Sequence, residues 1–345
     1  MVLNEKIRNY FPWIDNAKTI GIFFVVAGHL FFPTNIINFI YSFHMPLFFI
    51  LSGFTFNKTD SFTSFIIKKI KTILVPYFCF AIITYLFWLL LGRKFGEDSI
   101  IELSVIKPLL GILYSNGGNN WLIFNISLWF LTCLFVVEMI YFFLKDLSPL
   151  LLLIILGTMT TTGLILSRID FLRLPWSINT AIVAISFFAY GSFIKLLINH
   201  LIVKLSNRLW LGLISFSLFF VTFHLSNVNT RVDMNSNHYG SFFFFFLNSL
   251  LGSSATILLA LSIPKNRIST FIGRNTIIIL ALHNIGFSFL KAIQVFVIQI
   301  PLETLNNAVL INILYTFTCI LILIPICFFV NRYIPWIIGR TKKLV

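Results

Sequence analysis

Charged side chains are scarce in this chain of 345 residues, and acidic ones are the scarcest. Only 10% of the residues are charged, and 11 Asp and Glu stand against 25 Lys and Arg, whereas soluble domains average about 25% charged residues. Hydrophobic residues make up 58% of the chain, and the mean hydropathy is +0.95. This composition excludes a soluble globular domain. It predicts an all-α polytopic membrane protein, because helices satisfy their own backbone hydrogen bonds inside a bilayer.

Cysteines, targeting signals and repeats are also few or lacking. The four cysteines (Cys79, Cys133, Cys319 and Cys327) lie in apolar stretches without the spacing of a metal site, so we interpret them as packing residues and expect no metal. The N-terminus has no short apolar core followed by a small-residue cleavage site, so we predict no cleavable signal peptide. We see no internal repeat.

Long apolar runs, by contrast, fill the sequence from end to end. A bilayer core of about 30 Å requires about 20 apolar residues per helix, and ten stretches approach that length. We therefore predict one membrane-embedded domain, residues 1–345, with about ten transmembrane helices. Their predicted spans are residues 18–33, 36–56, 70–92, 121–144, 149–167, 178–199, 209–226, 241–263, 275–299 and 307–331.

The net charge of +14 follows the predicted topology. With the N-terminus in the cytoplasm, most of the 25 Lys and Arg fall in inside segments, as the positive-inside rule requires. We therefore expect both termini to be cytoplasmic and the protein to be a multi-pass component of the plasma (inner) membrane. The lipid bilayer, and no nucleic acid, is the partner that this basicity indicates.

Titratable side chains interrupt three of the apolar spans. Lys18 begins the first span and His29 follows it after ten residues, His44 lies just before Pro46 in the second span, and His283 lies in the ninth. A titratable group in hydrocarbon needs a partner or a polar cavity. These histidines therefore predict a functional site, although the sequence does not show that their helices touch.

Basic residues also cluster at predicted cytoplasmic entrances. Lys68, Lys69 and Lys71 precede the third span, and Arg274 and Asn275 precede the ninth. Two interpretations stay open: membrane anchoring under the positive-inside rule, or binding of the phosphates of a cytoplasmic donor by ammonium and guanidinium groups.

Three further polar features belong to the spans and outside loops. Glu138 is the only acidic residue deep in a predicted span and could pair with a basic residue. The loop of residues 93–120, ending in SNGGNNW, could contact a sugar, and an interfacial aromatic belt explains its tryptophan equally well. The loop of residues 227–240, NVNTRVDMNSNHYG, is a second candidate for such contact, and a solvated loop is its simpler interpretation.

These motifs resemble the membrane-bound acyltransferase family 3, most closely its fucose 4-O-acetyltransferase-like branch. Lys18 and His29 in WIDNAKTIGIFFVVAGH reproduce the family signature of a basic residue, ten residues and a histidine. Leu128 stands where many relatives have a histidine before the tryptophan. The other matched residues are His44, Pro46, Ser52 and Gly53 in FHMPLFFILSG, the basic pair and Pro76 in KKIKTILVPY, Trp129 and Phe130 in LWFL, and Arg274, Asn275 and His283.

The resemblance implies transfer of an acetyl or other short acyl group from cytoplasmic acetyl-CoA to a hydroxyl of a saccharide. The acceptor would be a surface polysaccharide such as an O-antigen, or its lipid-linked precursor, presented on the far side of the membrane. The implied catalytic residues are His29, Lys18, His44 and His283, and the implied donor-binding residues are Lys68, Lys69, Lys71, Arg274, Asn275 and Ser52. No metal is implied.

A saccharide exporter or flippase of the same fold is the main alternative. Broken helices and polar groups near the bilayer midplane also mark transporters. The spacing of Lys18 and His29 and the basic cluster favour the enzyme.

Overall fold

The structure, a computed structural model, describes residues 10–59, 61–95, 104–169, 173–201 and 207–340. These residues are helical apart from turns, loops and one isolated bridge between Asp233 and His238. The helices are α1 (Pro12–Ala27), α2 (Thr34–Thr55), α3 (Phe62–Lys69), α4 (Val75–Leu90), α5 (Ile106–Tyr114), α6 (Trp129–Leu144), α7 (Pro149–Leu166), α8 (Ile178–Leu201), α9 (Arg208–Ser226), α10 (Phe242–Ser262), α11 (Arg267–Arg274), α12 (Thr276–Ala292) and α13 (Val309–Tyr333).

Within those described ranges, nine helical runs are long and apolar enough to cross a bilayer. Helix α1, at 16 residues, is shorter than these nine and packs against α2, α10, α11 and α12. The prediction of an all-helical membrane bundle is therefore confirmed. We call the end where α1 begins the proximal end and the opposite end the distal end.

The predicted position of the first span was wrong. The helix covers Pro12–Ala27 instead of residues 18–33, because Pro12 occupies a first-turn position, where its missing N–H costs nothing. Polar side chains of this first turn are buried against neighbouring helices. Asn16 Nδ2 donates to the carbonyls of Ala260 (3.1 Å) and Ile263 (3.0 Å). His29 consequently lies beyond the helix, and Lys18 lies in its second turn.

The predicted start of the fourth span was also too early. Residues 115–125 are irregular, and helical structure begins at Ile126 and continues as α6 from Trp129. Asn119 and Asn120 have positive φ values of 52° and 62°, a conformation that ends regular helix. The remaining eight predicted spans coincide with helices to within a turn or so of their ends, except that α3 extends the third span toward Phe62.

Proline and glycine shape the second span. Pro46 has no N–H, so the carbonyl of Ser42 loses its helical partner, and Ser249 Oγ of α10 donates to that carbonyl at 2.9 Å. One face of α2 lies directly on α8: a Cβ at Gly53 would be 1.8 Å from the Phe188 carbonyl oxygen. Small residues allow such backbone contact between membrane helices.

A buried ion pair joins two spans near the proximal end. Lys69, at the end of α3, donates to Glu138 Oε1 of α6 at 2.7 Å. Only 14% of the lysine side chain and 5% of the glutamate side chain are exposed. A π-helical turn, Ile70–Leu74, follows the lysine and continues into α4. Glu138 therefore has the basic partner that its position in the sequence indicated.

Candidate active site

The turn between α1 and α2, residues 28–33, carries His29 and is fixed by distant parts of the chain. Tyr41 Oη of α2 donates to the Gly28 carbonyl at 3.2 Å. The Phe31 carbonyl accepts from Asn312 Nδ2 of α13 at 3.0 Å and from the Asn307 N–H at 2.8 Å. Irregular backbone within a bilayer is tolerated where it is buried in protein or lines a cavity; in this turn Leu30 and Phe32 are buried and His29 lines a cavity.

His29 is half-buried and lies between two polar neighbours. Its Nε2 is 3.2 Å from Ser127 Oγ, in the helical turn that precedes α6. Its ring centroid is 4.8 Å from that of His283 in α12. The structure thus brings together two of the three histidines that the sequence singled out.

His283 has a defined tautomer. Its Nδ1 lies 2.8 Å from the Leu280 carbonyl oxygen and 3.2 Å from that of Ile279. A carbonyl only accepts hydrogen bonds, so Nδ1 carries the hydrogen of the neutral ring. Its Nε2 is then an acceptor, and it is buried with no hydrogen-bond partner in the described part of the chain.

His44 has the same arrangement one helix away. Its Nδ1 lies 2.8 Å from the Ile40 carbonyl oxygen, so its Nε2 is also the unprotonated nitrogen of the neutral ring. The His44 ring packs against the Tyr41 ring with centroids 5.0 Å apart. The Arg231 guanidinium lies over the same tyrosine ring, with its carbon 4.2 Å from the ring centroid.

A cavity of about 270 Å³ opens at the distal end, with His29 and His44 in its wall. Its walls come from α1, α2 and α12, from the irregular segment before α6, and from the loop of residues 227–240, which we call the distal loop. Asn125 holds the segment before α6 in the bundle by donating to the Ala281 carbonyl at 2.7 Å. The lining residues are Val25, His29, Tyr41, His44, Met45, Gly117, Ile126, Ser127, Trp129, Arg231, Asp233, Met234, Asn235, Ser236 and Leu280.

A second cavity, of about 520 Å³, lies at the proximal end and is strongly basic. Its four cationic side chains come from α11, from the segment before it and from the end of the described chain: Lys265, Arg267, Arg274 and Arg340. Asp15 lies 3.5 Å from Arg274 and is the one carboxylate that forms an ion pair with these four in the described residues. Like charges gathered with so little compensation produce a positive potential that attracts anions.

The polar groups of this proximal cavity are tied to one another. Asn275 Oδ1 accepts from Asn331 Nδ2 at 2.7 Å, and Arg340 donates to the carbonyl of Arg274 and to the Asn331 side chain. Burial lowers the pKa of the Arg340 guanidinium, and the positive charge of Arg274 lowers it further.

The other predicted site residues occupy different places. Lys18 is half-buried on α1, within electrostatic range of Asp15 and Arg340. Ser52 is in α2, and its described hydrogen bond is through its carbonyl, which accepts from Thr55 Oγ1 at 3.2 Å.

The lysines of the third span differ from what their sequence cluster indicated. Lys69 is engaged with Glu138, and Lys68 lies within electrostatic range of the same carboxylate. The backbone of Lys71 packs on Gly339. Among the described residues, Arg274 and Asn275 line the cavity, and these three lysines do not.

Sequence reasoning missed two parts of this arrangement. It did not assign Lys265, Arg267 and Arg340 to a site, although two of them directly precede the Arg274 segment in a polar stretch. It also favoured a solvated interpretation of the distal loop, whereas Val232, Met234 and Asn235 are buried there. The alternation of polar and apolar residues from 231 to 235 was the available signal.

These features define a polytopic membrane protein with a cation-lined cavity at one end and a histidine-lined cavity at the other, and with α1 extending from beside the first to the second. A family model described as an acyltransferase domain, that of the acyltransferase 3 family, matches residues 11–332. The chain belongs to this family and is thus a membrane acyltransferase. No curated protein and no solved structure matched the chain.

Proposed function

We propose that this acyltransferase moves an acetyl group from acetyl-CoA to a hydroxyl of a cell-surface saccharide or its lipid-linked precursor. It would act in the plasma (inner) membrane and belong to the fucose 4-O-acetyltransferase-like branch. One observation carries the proposal: α1 extends from Asp15, which pairs with Arg274 of the proximal cavity, to Val25, which lines the distal cavity beside His29.

The proximal cavity supplies the donor site. Coenzyme A carries a pyrophosphate and a ribose phosphate, and guanidinium groups bind phosphate oxygens in bidentate pairs. Arg267, Arg274 and Arg340 therefore hold these phosphates, with Lys265 and Asn275 beside them. The positive-inside rule supports a cytoplasmic position for this end, on the side where the donor is made. Lys69 is not part of the proposed donor site, because Glu138 neutralises its charge.

His29 performs the proton transfer. Its imidazole accepts the proton of the acceptor hydroxyl as the hydroxyl oxygen bonds to the thioester carbonyl carbon. The resulting tetrahedral intermediate collapses as its C–S bond breaks, and the imidazolium returns the proton to the departing thiolate. The products are an acetyl ester and free coenzyme A, so atoms and charge balance without a metal.

The neighbouring histidines position this ring. In the tautomers set by the carbonyls of Leu280 and Ile40, the Nε2 atoms of His283 and His44 accept hydrogen bonds and do not donate them. This favours orientation of His29 by His283 over stabilisation of an oxyanion, which requires a donor. Ser127 Oγ, 3.2 Å from His29 Nε2, carries a hydrogen that can serve as such a donor.

The test is release of coenzyme A thiol by purified protein given acetyl-CoA and an acceptor saccharide. We expect His29→Gln to lower the rate by about 10² to 10⁴, the range of a general base. His224→Gln is the matched control, because that exposed ring contacts Phe220 and lies outside both cavities. In proteoliposomes, acetyl-CoA should act from the Arg274 side only and the acceptor from the His29 side.

Three outcomes would contradict parts of the proposal. Normal thiol release by a well-folded His29→Gln variant would show that His29 is not the base. Product that forms only when both substrates are on the same side would contradict transfer across the membrane. Saccharide movement without thiol release would contradict acetyl transfer and favour an exporter.

A further inference from the structure

The distal loop is a fixed wall of the distal cavity. Asp233 and His238 form an antiparallel bridge with N–O distances of 2.7 and 2.9 Å. Thr180 Oγ1 of α8 donates to the Met234 carbonyl at 2.8 Å, and Arg168 donates to the Gly240 carbonyl at 2.8 Å. Bonds to two other parts of the bundle keep the loop over the cavity, so the side chains that it presents there have defined positions.

One of those side chains is a buried acceptor without a partner. Asn235 lines the cavity, is only 8% exposed, and its Oδ1 has no hydrogen-bond partner in the described part of the protein. Its amide group packs against Gly117, where a Cβ would be 2.1 Å from Oδ1. A buried acceptor left unsatisfied is unfavourable, and a hydroxyl entering the cavity would satisfy this one.

The charges of the loop compensate each other. Arg231 and Asp233 both line the cavity, and the other lining residues are uncharged or are histidines. Asp233 is held by the N–H (3.2 Å) and Oγ (2.8 Å) of Ser236, while Arg231 is held over the Tyr41 ring. A cavity with no net charge offers an ionic ligand nothing that offsets its desolvation, whereas hydroxyl groups can bond to a carboxylate, a guanidinium and an amide together.

The size of the cavity limits the ligand further. Its volume of about 270 Å³ is just below the range of about 300 to 1,000 Å³ typical of pockets for drug-sized ligands. That space suits one pyranose ring with its hydroxyls, and the Trp129 side chain in the wall provides an apolar surface for a sugar face.

We propose that Arg231, Asp233 and Asn235 form the acceptor subsite and that it takes an uncharged sugar ring, with a hydroxyl bonded to Asn235 Oδ1 and others bridging Arg231 and Asp233. This inference rests on the proposed function, whose His29 base faces the same cavity. The three residues determine specificity, and the proton transfer stays with His29.

The test measures binding of four defined probes to the purified protein in detergent by saturation-transfer NMR. They are methyl β-D-glucopyranoside and methyl β-D-galactopyranoside, each compared with the corresponding methyl uronide, in which a carboxylate replaces the CH₂OH group. We expect at least one neutral glycoside to bind at least about tenfold more tightly than its uronide, and Asn235→Ala to weaken that binding by about tenfold.

Charge variants make the test specific. Asp233→Asn leaves the lining with a net positive charge and should shift the preference toward the uronides, while Arg231→Gln should weaken binding of the neutral glycosides. Arg168→Gln is the matched control: it removes a loop contact and a stacking contact on Phe242 without changing the cavity lining, and selectivity should persist.

Each result decides the matter. Binding of neither neutral glycoside, equal or tighter binding of both uronides, or an Asp233→Asn variant with unchanged preference would overturn the inference. The thiol-release assay on the same preparation separates the two proposals. Thiol release together with a preference for the uronides would support the proposed acetyl transfer and contradict the neutral acceptor subsite. Selective binding of a neutral glycoside without thiol release would support the subsite and contradict the acetyl transfer.

Discussion

Replacing Lys69 should expose the structural role of the ion pair between α3 and α6. Lys69→Met leaves the carboxylate of Glu138, which is 5% exposed, without its 2.7 Å partner inside the bundle. Removing one member of a buried pair costs about 3 to 5 kcal/mol, because the other charge stays desolvated and uncompensated. We therefore expect a loss of that order in the free energy of unfolding.

The double variant Lys69→Met/Glu138→Leu should recover most of that loss. Replacing both charges by apolar side chains of similar size is often neutral or stabilising, since the desolvation cost disappears together with the attraction. The pair of Lys58 and Asp146 provides the control. Its side chains are 26% and 69% exposed, and exposed pairs contribute about 0 to 1 kcal/mol, so Lys58→Met should change stability little.

The assay is SDS-induced unfolding in mixed micelles, combined with the KM for acetyl-CoA of each folded variant. We expect the stability changes above and a KM close to that of the unmodified protein. The reasoning is refuted if Lys69→Met unfolds like the parent protein while its KM rises severalfold. Lys69 would then bind donor phosphate, as its position in the sequence first indicated.

Three further changes test other parts of the structure. Arg340→Gln should raise the KM for acetyl-CoA about tenfold with little change in kcat, because Arg340 lines the proximal cavity. Arg332 stacks on the Tyr333 ring in α13 and does not line that cavity, so Arg332→Gln should leave this KM unchanged. Gly53→Ala should cost about 1 to 3 kcal/mol, since the new Cβ would be 1.8 Å from a carbonyl oxygen of α8; Gly157→Ala, with nothing within 4 Å, should leave the unfolding midpoint unchanged or raised. Asn312→Leu should lower kcat by about tenfold while the KM for acetyl-CoA stays constant, because the turn that carries His29 loses a partly buried hydrogen bond; equal kcat would show that this bond does not position the turn.

The apolar runs predicted the helices well because hydropathy over about 20 residues is a strong signal. The hydropathy signal failed where neighbouring helices bury polar residues. Asp15 and Asn16 look like the end of a span in the sequence, but α11 and the end of α10 cover them, and the helix begins at Pro12. A hydropathy window has no access to those tertiary contacts, so it placed the first span six residues too late.

The candidate site was likewise predicted only in part from the sequence. His29 and His283 could be picked out because an imidazole in an apolar run needs a reason to be there, and their rings do lie together. The partner of Lys69 on another helix and the closure of the distal loop over the cavity depend on pairings between residues far apart in the sequence. A single sequence contains no measure of such pairings.

The clamp on the turn that holds His29 has a consequence for how the protein is made. The Phe31 carbonyl and Asn312 are 281 residues apart, so at about 5 to 20 residues per second the ribosome needs roughly 14 to 56 s to supply the second after the first. During that time the first two spans can enter the membrane, but the turn between them lacks its hydrogen bonds to Asn307 and Asn312. The turn that carries His29 is therefore completed only after α13 has been synthesised, and a nascent chain that stops before α13 should be inserted yet inactive.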